Sequence, residues 1–313
     1  MIKEKRLLKS LHLTTACVGA SSEGGAHQEK ENTQMYRIKL GLGTKESYGI
    51  PVEEQIRLFK KTGFEAFFTA YTSDLKSCRR VADETGMIFQ SVHAPFRMAK
   101  DFWTDGEGAS DGLNKLLECV DNCAEANVPI IVMHPYIGYV DDVVPNSTGV
   151  EYFRTFVLAA KDKNIKVAFE NVERREFLDR LMEEFCDFEN VGFCWDSGHE
   201  LCYNRGDDML SAYGDRLIAT HINDNLGVRD YGGSIAGCDD LHLLPFDGIT
   251  DWQSAAVRLK KCGYDGILTF ELNNTGKGGR HENDKYARMP IEEYIAECYA
   301  RACRVAYLFN RAV

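Results

Sequence analysis

Four acidic or imidazole side chains stand at the ends of apolar runs that otherwise read as buried strands: Glu170 in KVAFE, Asp196 in VGFCWD, His221 in LIATHI and Glu271 in GILTFEL. A core strand of a parallel sheet prefers Val, Ile, Leu and Phe throughout, so a carboxylate or imidazole at its tip is there for chemistry rather than packing. Three carboxylates and one imidazole form a hard, oxygen-rich ligand set. It suits one divalent cation in octahedral geometry, Mn2+ first with Mg2+, Co2+ or Zn2+ as alternatives, better than a closed zinc site. Such an ion polarises substrate oxygens and acidifies the neighbouring C–H. Two of the tips are followed three residues later by a second polar group, His199 after Asp196 and Asp224 after His221. Cys194, two residues before Asp196 on the same strand face, lies one layer deeper and reads as barrel filling. Of the six histidines beyond residue 36, five sit at strand tips or just after them: His93, His134, His199, His221 and His242. Scattered structural histidines would not gather at one end of a sheet.

These tips are positioned by alternating strand-like and helix-like segments. Strands are predicted over 36–43, 65–71, 87–93, 129–134, 166–170, 191–196, 217–222 and 266–272, with amphipathic stretches such as VEEQIRLFKKTG and DWQSAAVRLKKCG between them. Eight βα units predict an α/β fold, a (β/α)8 TIM barrel over residues 36–313, because about 250 residues commonly make one such barrel. No GxGxxG follows the first strand, so a dinucleotide-binding fold has no support. Residues 1–35 read as a disordered N-terminal tail. Their polar stretch EGGAHQEKENTQ cannot bury a core, and Lys9 and His12 interrupt what a signal peptide would need as its apolar centre. The longest connection, 224–250, is expected to fold over the strand tips. The glycine-rich TGKGGRHEN at 275–283 lacks the Walker pattern and reads as a flexible loop rather than a phosphate site.

A formal net charge of −11 opposes approach to a polyanion, so nucleic acid is not an expected partner. No run of about 18 apolar residues is present, and no membrane span is expected. The eleven cysteines form an odd count without a CxxC pair, which points to reduced thiols and a cytoplasmic location. The loop after the third strand, HAPFRMAKDFW, carries Phe96, Phe102 and Trp103. It is expected to form an aromatic lid suited to a small polyol ring, with Trp103 against the substrate. The expected partner is a small carbohydrate, and a homo-oligomer is compatible with the sequence.

The segments HAP at 93–95, HP at 134–135, EN at 170–171, DSGH at 196–199, HIND at 221–224, DLHLLPFDG at 240–248 and FEL at 270–272 span nearly all of 36–275. Together the chain resembles the xylose-isomerase-like TIM barrels, which include sugar isomerases, sugar epimerases, inosose dehydratases and the endonuclease IV nucleases. The resemblance to the epimerase branch implies that Glu170, Asp196, His221 and Glu271 hold the metal, with Glu170 and Glu271 doubling as the acid/base pair. It also implies that His199 contacts a substrate oxygen and that Glu176, six residues after Glu170, supports that glutamate. His93, His134 and His242 are expected at the substrate. Those epimerases place an arginine soon after the strand-seven histidine, where this chain has Gly227, so Arg229 two residues on is the candidate anchor. The nuclease branch implies nine ligands for three zinc ions, and His93, His134, Glu170, Asp196, His199, His221, Asp240, His242 and Glu271 occupy similar positions. The acidic balance and the aromatic loop favour a sugar. The expected function is therefore a divalent-metal-dependent sugar isomerase or epimerase that transfers a proton next to a carbonyl through an enediolate. The alternatives are a lyase or dehydratase on a keto-sugar or inosose and, third, an apurinic-site nuclease. A non-catalytic sugar-binding barrel would not be expected to keep the full ligand set.

Overall fold

The computed structural model describes residues 38–104, 106–139, 142–229 and 237–312. The expected tail at 1–35 lies outside them. Tyr36–Val313 forms one unit. Its strands are β1 (Leu40–Gly43), β2 (Ala66–Ala70), β3 (Ile88–His93), β4 (Ile130–Met133), β5 (Lys166–Glu170), β6 (Val191–Asp196), β7 (Leu217–His221) and β8 (Leu268–Phe270). All pairs are parallel, in the order β7-β6-β5-β4-β3-β2-β1-β8. The remaining seam, β7 to β8, is bridged just past the strands: Ile222 N donates to Thr269 O at 2.8 Å, and Glu271 N donates to Ile222 O at 3.1 Å. The result is the predicted (β/α)8 barrel. Strand ends differ from the sequence reading by a few residues, most at the two strands that meet across β1 and β8.

The helices that matter for the site are α1 (Val52–Thr62), α2 (Leu75–Thr85), α3 (Ala99–Thr104), α4 (Ala109–Glu125), α5 (Ser147–Asp162), α6 (Arg175–Glu184) and α7 (Ser197–Cys202). Side-chain carboxylates and amides start several of them. Asp74 accepts from Ser77 N and Asn146 from Gly149 N, which satisfies amides that a first helical turn leaves unpaired. No helix among the described residues is long and apolar enough to cross a membrane.

Side chains two apart on a strand share a face. Val132, Ala168, Cys194 and Ala219 form a small buried cluster contributed by β4 to β7. Two residues on from each stand His134, Glu170, Asp196 and His221. The short filling layer is thus capped by the polar layer, and Cys194 is filling, as its position implied.

The connection after β7 is organised around one carboxylate. Asp224 is fully buried. Its Oδ1 accepts from Asn225 N (2.9 Å), Thr250 N (3.0 Å) and Thr250 Oγ1 (2.6 Å), and its Oδ2 from Phe246 N (2.8 Å) and Trp252 Nε1 (3.0 Å). Asp224 is therefore a fastening for the loop rather than a ligand. Asp224→Ala strands these donors in a dry site and is expected to cost about 3 kcal/mol or more of stability, read as a lowered urea midpoint. An unchanged midpoint would show that water substitutes for the carboxylate.

Candidate metal centre and active-site cavity

Glu170, Asp196, His221 and Glu271 come together at the C-terminal end of the barrel: one ligand atom from each lies within 4.8 Å of all the others. Glu170 Oε1 is 2.9 Å and Glu271 Oε2 3.1 Å from His221 Nδ1. Neighbouring ligands around an octahedral ion with bonds of about 2.1 Å are roughly 3 Å apart, so these are ion-sized spacings. Glu170 and Asp196 are fully buried and His221 is 1% exposed. Glu170 Oε2 accepts no hydrogen bond of good geometry although it is buried. Three carboxylates gathered in a dry layer need a compensating positive charge, and the residues present fit a divalent cation.

The supports of these ligands are built from neighbouring tips. Asp196 Oδ1 accepts from His199 N at 2.7 Å and so caps α7. Asn223 Nδ2 lies 3.0 and 2.9 Å from the two Asp196 oxygens. Asn171 ties the tip of β5 to that of β6: its Oδ1 accepts from Asp196 N and its Nδ2 donates to Asp196 O, both at 2.8 Å. A Cβ on Gly198 would fall 1.9 Å from Asn223 Oδ1, so only glycine lets α7 close over this amide. The Phe68 ring stacks on His221 with centroids 4.4 Å apart.

Charge settles the protonation pattern. Burial raises the Glu170 carboxyl, but His221, His134 and His93 more than offset it and hold it well below the usual range. Burial likewise opposes ionisation of Glu271, and Lys45, His242 and His221 hold it low. Burial pushes Asp196 up to about 6. Burial disfavours the His221 imidazolium, yet Glu170 and Glu271 carry its pKa up to about 10. In chelator-treated protein at neutral pH an incoming cation must therefore expel the His221 proton. Apparent metal affinity is expected to rise about tenfold per pH unit for that proton between about pH 6 and 8. Calorimetric titration at three pH values measures it, and a flat profile would place the proton elsewhere.

A cavity of about 750 Å3 opens above this layer, walled by residues of the β1 and β2 connections together with His93, Phe96, His134, His199, Asp240, His242, Glu271, Lys45 and Lys277. Two further constellations line it. His93 Nε2, His134 Nε2 and Glu170 Oε2 form a triangle with edges of 3.2, 3.2 and 3.5 Å. His199, Asp240 and His242 form a buried triad, with His199 Nδ1 at Asn171 O (3.0 Å) and His242 Nδ1 at Glu271 O (3.1 Å). Those carbonyls draw a proton to Nδ1 and leave each Nε2 facing Asp240, a backbone support also found at metal-ligating histidines. His242 adopts φ of 48°, a left-handed backbone that is uncommon for a side chain of its size. The long connection does fold over the tips, since it delivers Asp240 and His242. Its residues 230–236 lie outside the described set.

Three residues expected at the substrate stand elsewhere. Trp103 is 2% exposed, donates from Nε1 to Pro135 O at 2.8 Å and packs on Phe153 and Phe177. The aromatic loop coils into α3 and seats the indole over Gly149 of α5, where a Cβ would collide with it. Phe102 is buried too, so of the expected lid only Phe96 faces the cavity. Glu176 sits in the first turn of α6, 47% exposed at its side chain and paired to Arg174 Nε at 2.6 Å, because Arg174 turns the chain at φ of 59°. It does not reach Glu170. The buried acid nearby is Glu173, which accepts from Gly138 N at 2.7 Å. Arg229 points out, 55% exposed, with Nε 2.8 Å from Asp239 Oδ1, and does not line the cavity. In the 275–283 loop Arg280 is spent on Asp239 and Glu282, and Lys277 lines the cavity.

Residues 55–295 match the family model described as xylose isomerase-like TIM barrel. The chain belongs to this family. Among curated proteins, the uncharacterized protein y4fM of Sinorhizobium fredii is 28% identical over 268 residues, 74% of this chain and 82% of its own. Among solved structures, the IolI protein with a binding zinc atom superposes with a TM-score of 0.70 at 16% identity over 87% of this chain and 99% of its own. D-psicose 3-epimerase with D-tagatose from Clostridium cellulolyticum H10 gives 0.63 at 16% over the same shares. The chain spans 41% of a fusion of a xylose isomerase-like TIM barrel with a 4-hydroxyphenylpyruvate dioxygenase, at a TM-score of 0.60, 15% identity and 80% of this chain. At these identities the structural likenesses are likenesses of fold.

Proposed function

We propose that this family member is a cytoplasmic, divalent-metal-dependent sugar isomerase or epimerase that moves a proton at the carbon next to a carbonyl. The observation that carries this reading is Glu271. It belongs to the four-residue ion cluster, is held ionised, and also faces the cavity. A cation held by Glu170, Asp196, His221 and Glu271 would supply Lewis acidity to a carbonyl and its neighbouring hydroxyl, lowering the pKa of the C–H between them. Glu271 removes that proton; in isomerisation it returns it to the neighbouring carbon, whereas in epimerisation Glu170 delivers a proton to the opposite face of the same carbon. Glu170, on β5 across the cluster, is the second carboxylate, placed behind His93 and His134. The donor set favours Mn2+, and the zinc in the IolI structure keeps Zn2+ in view. The ten described cysteines are all free thiols, in keeping with a reducing compartment. Elimination from a keto-sugar or inosose would use the same proton abstraction and differ in what leaves. A screen of ketoses, keto-sugars and inososes with added Mn2+ tests the reading, and failure to convert any of them would overturn it.

A second reading, hydrolysis of a phosphodiester by three ions, is favoured by the His93–His134–Glu170 triangle and the His199–Asp240–His242 triad. Against it stands the acidic chain, which among the described residues supplies two lysines, Lys45 and Lys277, and no arginine to the cavity wall. No incision of a labelled abasic-site duplex is expected at physiological salt, because counterion release needs several basic contacts. Metal-dependent incision that vanishes in Glu271→Gln, with three ions bound per chain, would reverse this ranking.

A further inference from the structure

We infer that the substrate carries an anionic group, a carboxylate or phosphate, taken up by Lys45 and Lys277 across His242. The inference rests on the isomerase reading and narrows its substrate class. The two ammonium groups approach the cavity from opposite ends of one hydrogen-bonded chain. Lys45 Nζ is 2.6 Å from Glu271 Oε1, Glu271 O is 3.1 Å from His242 Nδ1, His242 Nε2 is 3.0 Å from Asp240 Oδ2, and Asp240 Oδ2 is 2.6 Å from Lys277 Nζ. Each lysine thus uses one of three donors on a carboxylate and keeps two for the space it lines. Glu271 belongs to the four-residue cluster of the isomerase reading, and Asp240 to the separate His199–Asp240–His242 group. Among the described residues these two lysines are the ammonium groups of the wall, and no arginine shares it.

Lys45 is built in rather than draped over the surface. It follows β1 directly, and fully packed Gln55 grips its backbone from both sides: Lys45 N donates to Gln55 Oε1 (3.0 Å) and Gln55 Nε2 donates to Lys45 O (2.9 Å). Its side chain is 22% exposed and that of Lys277 37%. A neutral polyol gives two such fixed cations nothing to neutralise, whereas a carboxylate or phosphate forms charge-assisted bonds with both. The same charges explain how an otherwise acidic protein can admit an anion at this one place.

The test uses Mn2+-loaded protein and calorimetric binding of three probes of matched skeleton: D-glucitol, D-gluconate and D-glucitol 6-phosphate. At least one anionic probe is expected to bind about tenfold or more tighter than glucitol, the magnitude of a charge-assisted hydrogen bond, and which one does so separates carboxylate from phosphate. Lys45→Met and Lys277→Met, each brought to wild-type metal content with added Mn2+, should shrink that gap relative to glucitol, and Lys45→Arg should keep it. Equal affinity for all three probes in wild type overturns the inference and leaves the isomerase reading intact. A gap that persists in both Met variants also overturns it, because the metal alone would then be reading the anion. Loss of binding of every probe, with metal still in place, overturns the inference and the isomerase reading together.

Discussion

Asp196→Asn and His221→Ala are expected to empty the four-residue centre while leaving the barrel standing. Protein purified without chelator should carry a divalent ion by elemental analysis, and each variant should lower its affinity by about 100-fold or more, since even partners of ligands are worth 10- to 100-fold. The Asp196 change is the sharper test. Asparagine keeps the size of the side chain and still caps α7, so the helix start survives while one negative charge at the ion is lost. Asn223→Ala should give a smaller fall, about 10-fold, because it only frees the Asp196 carboxylate to swing. Unfolding curves on the same samples separate loss of ion from loss of fold. Full occupancy in both ligand variants, or turnover by wild type stripped of metal, would end the metal reading.

Glu271→Gln should slow proton transfer by about 10²- to 10⁴-fold, the usual contribution of one acid/base group. With its true substrate in D2O, wild type should place deuterium at the carbon next to the carbonyl before much product accumulates, and the variant should not. Glu271 is also a ligand, so metal content must be measured on the same sample. Its inner oxygen, Oε2, faces His221 and its outer one, Oε1, faces Lys45. A glutamine keeps one oxygen, so partial occupancy can be restored with excess Mn2+. Full exchange by a metal-loaded variant would reduce Glu271 to a ligand. Turnover by wild type without any deuterium uptake would favour shielded proton return or a hydride shift.

The tips were readable because period-two alternation and a hydrophobic interior leave a polar residue at a strand end no bland explanation. Glu170, Asp196, His221 and Glu271 meet as their strand positions implied, and the eight βα units fixed the barrel. What local pattern could not show were encounters between distant segments. Lys45 meets Glu271 across 226 residues, and no periodicity near Lys45 announces it. Trp103 misled because aromatic residues in a loop and aromatic residues in a six-residue helix read alike. Glu176 misled because a spacing of six after Glu170 assumes a path that the left-handed turn at Arg174 does not take. Arg229 stands two residues beyond the position to which the resemblance points, and its partner Asp239 draws it outward. Asn171 and Asn223 stood inside the EN and HIND segments, but only the geometry shows that their amides hold Asp196.

The ion cluster draws its ligands from β5 to β8, whereas much of the cavity wall comes from β2 and the connections after β1 and β2, at residues 44–55 and 68–73. One half of the barrel thus houses the reactive centre and the other half frames what may enter it. Apart from the Lys45–Glu271 contact and the Phe68 ring stacked on His221, the wall residues 44–55 and 68–73 stand away from the ligands. This gives a simple account of how a single barrel can diversify: new substrates arise by rewriting two short loops while the inherited reactive centre stays in register behind them.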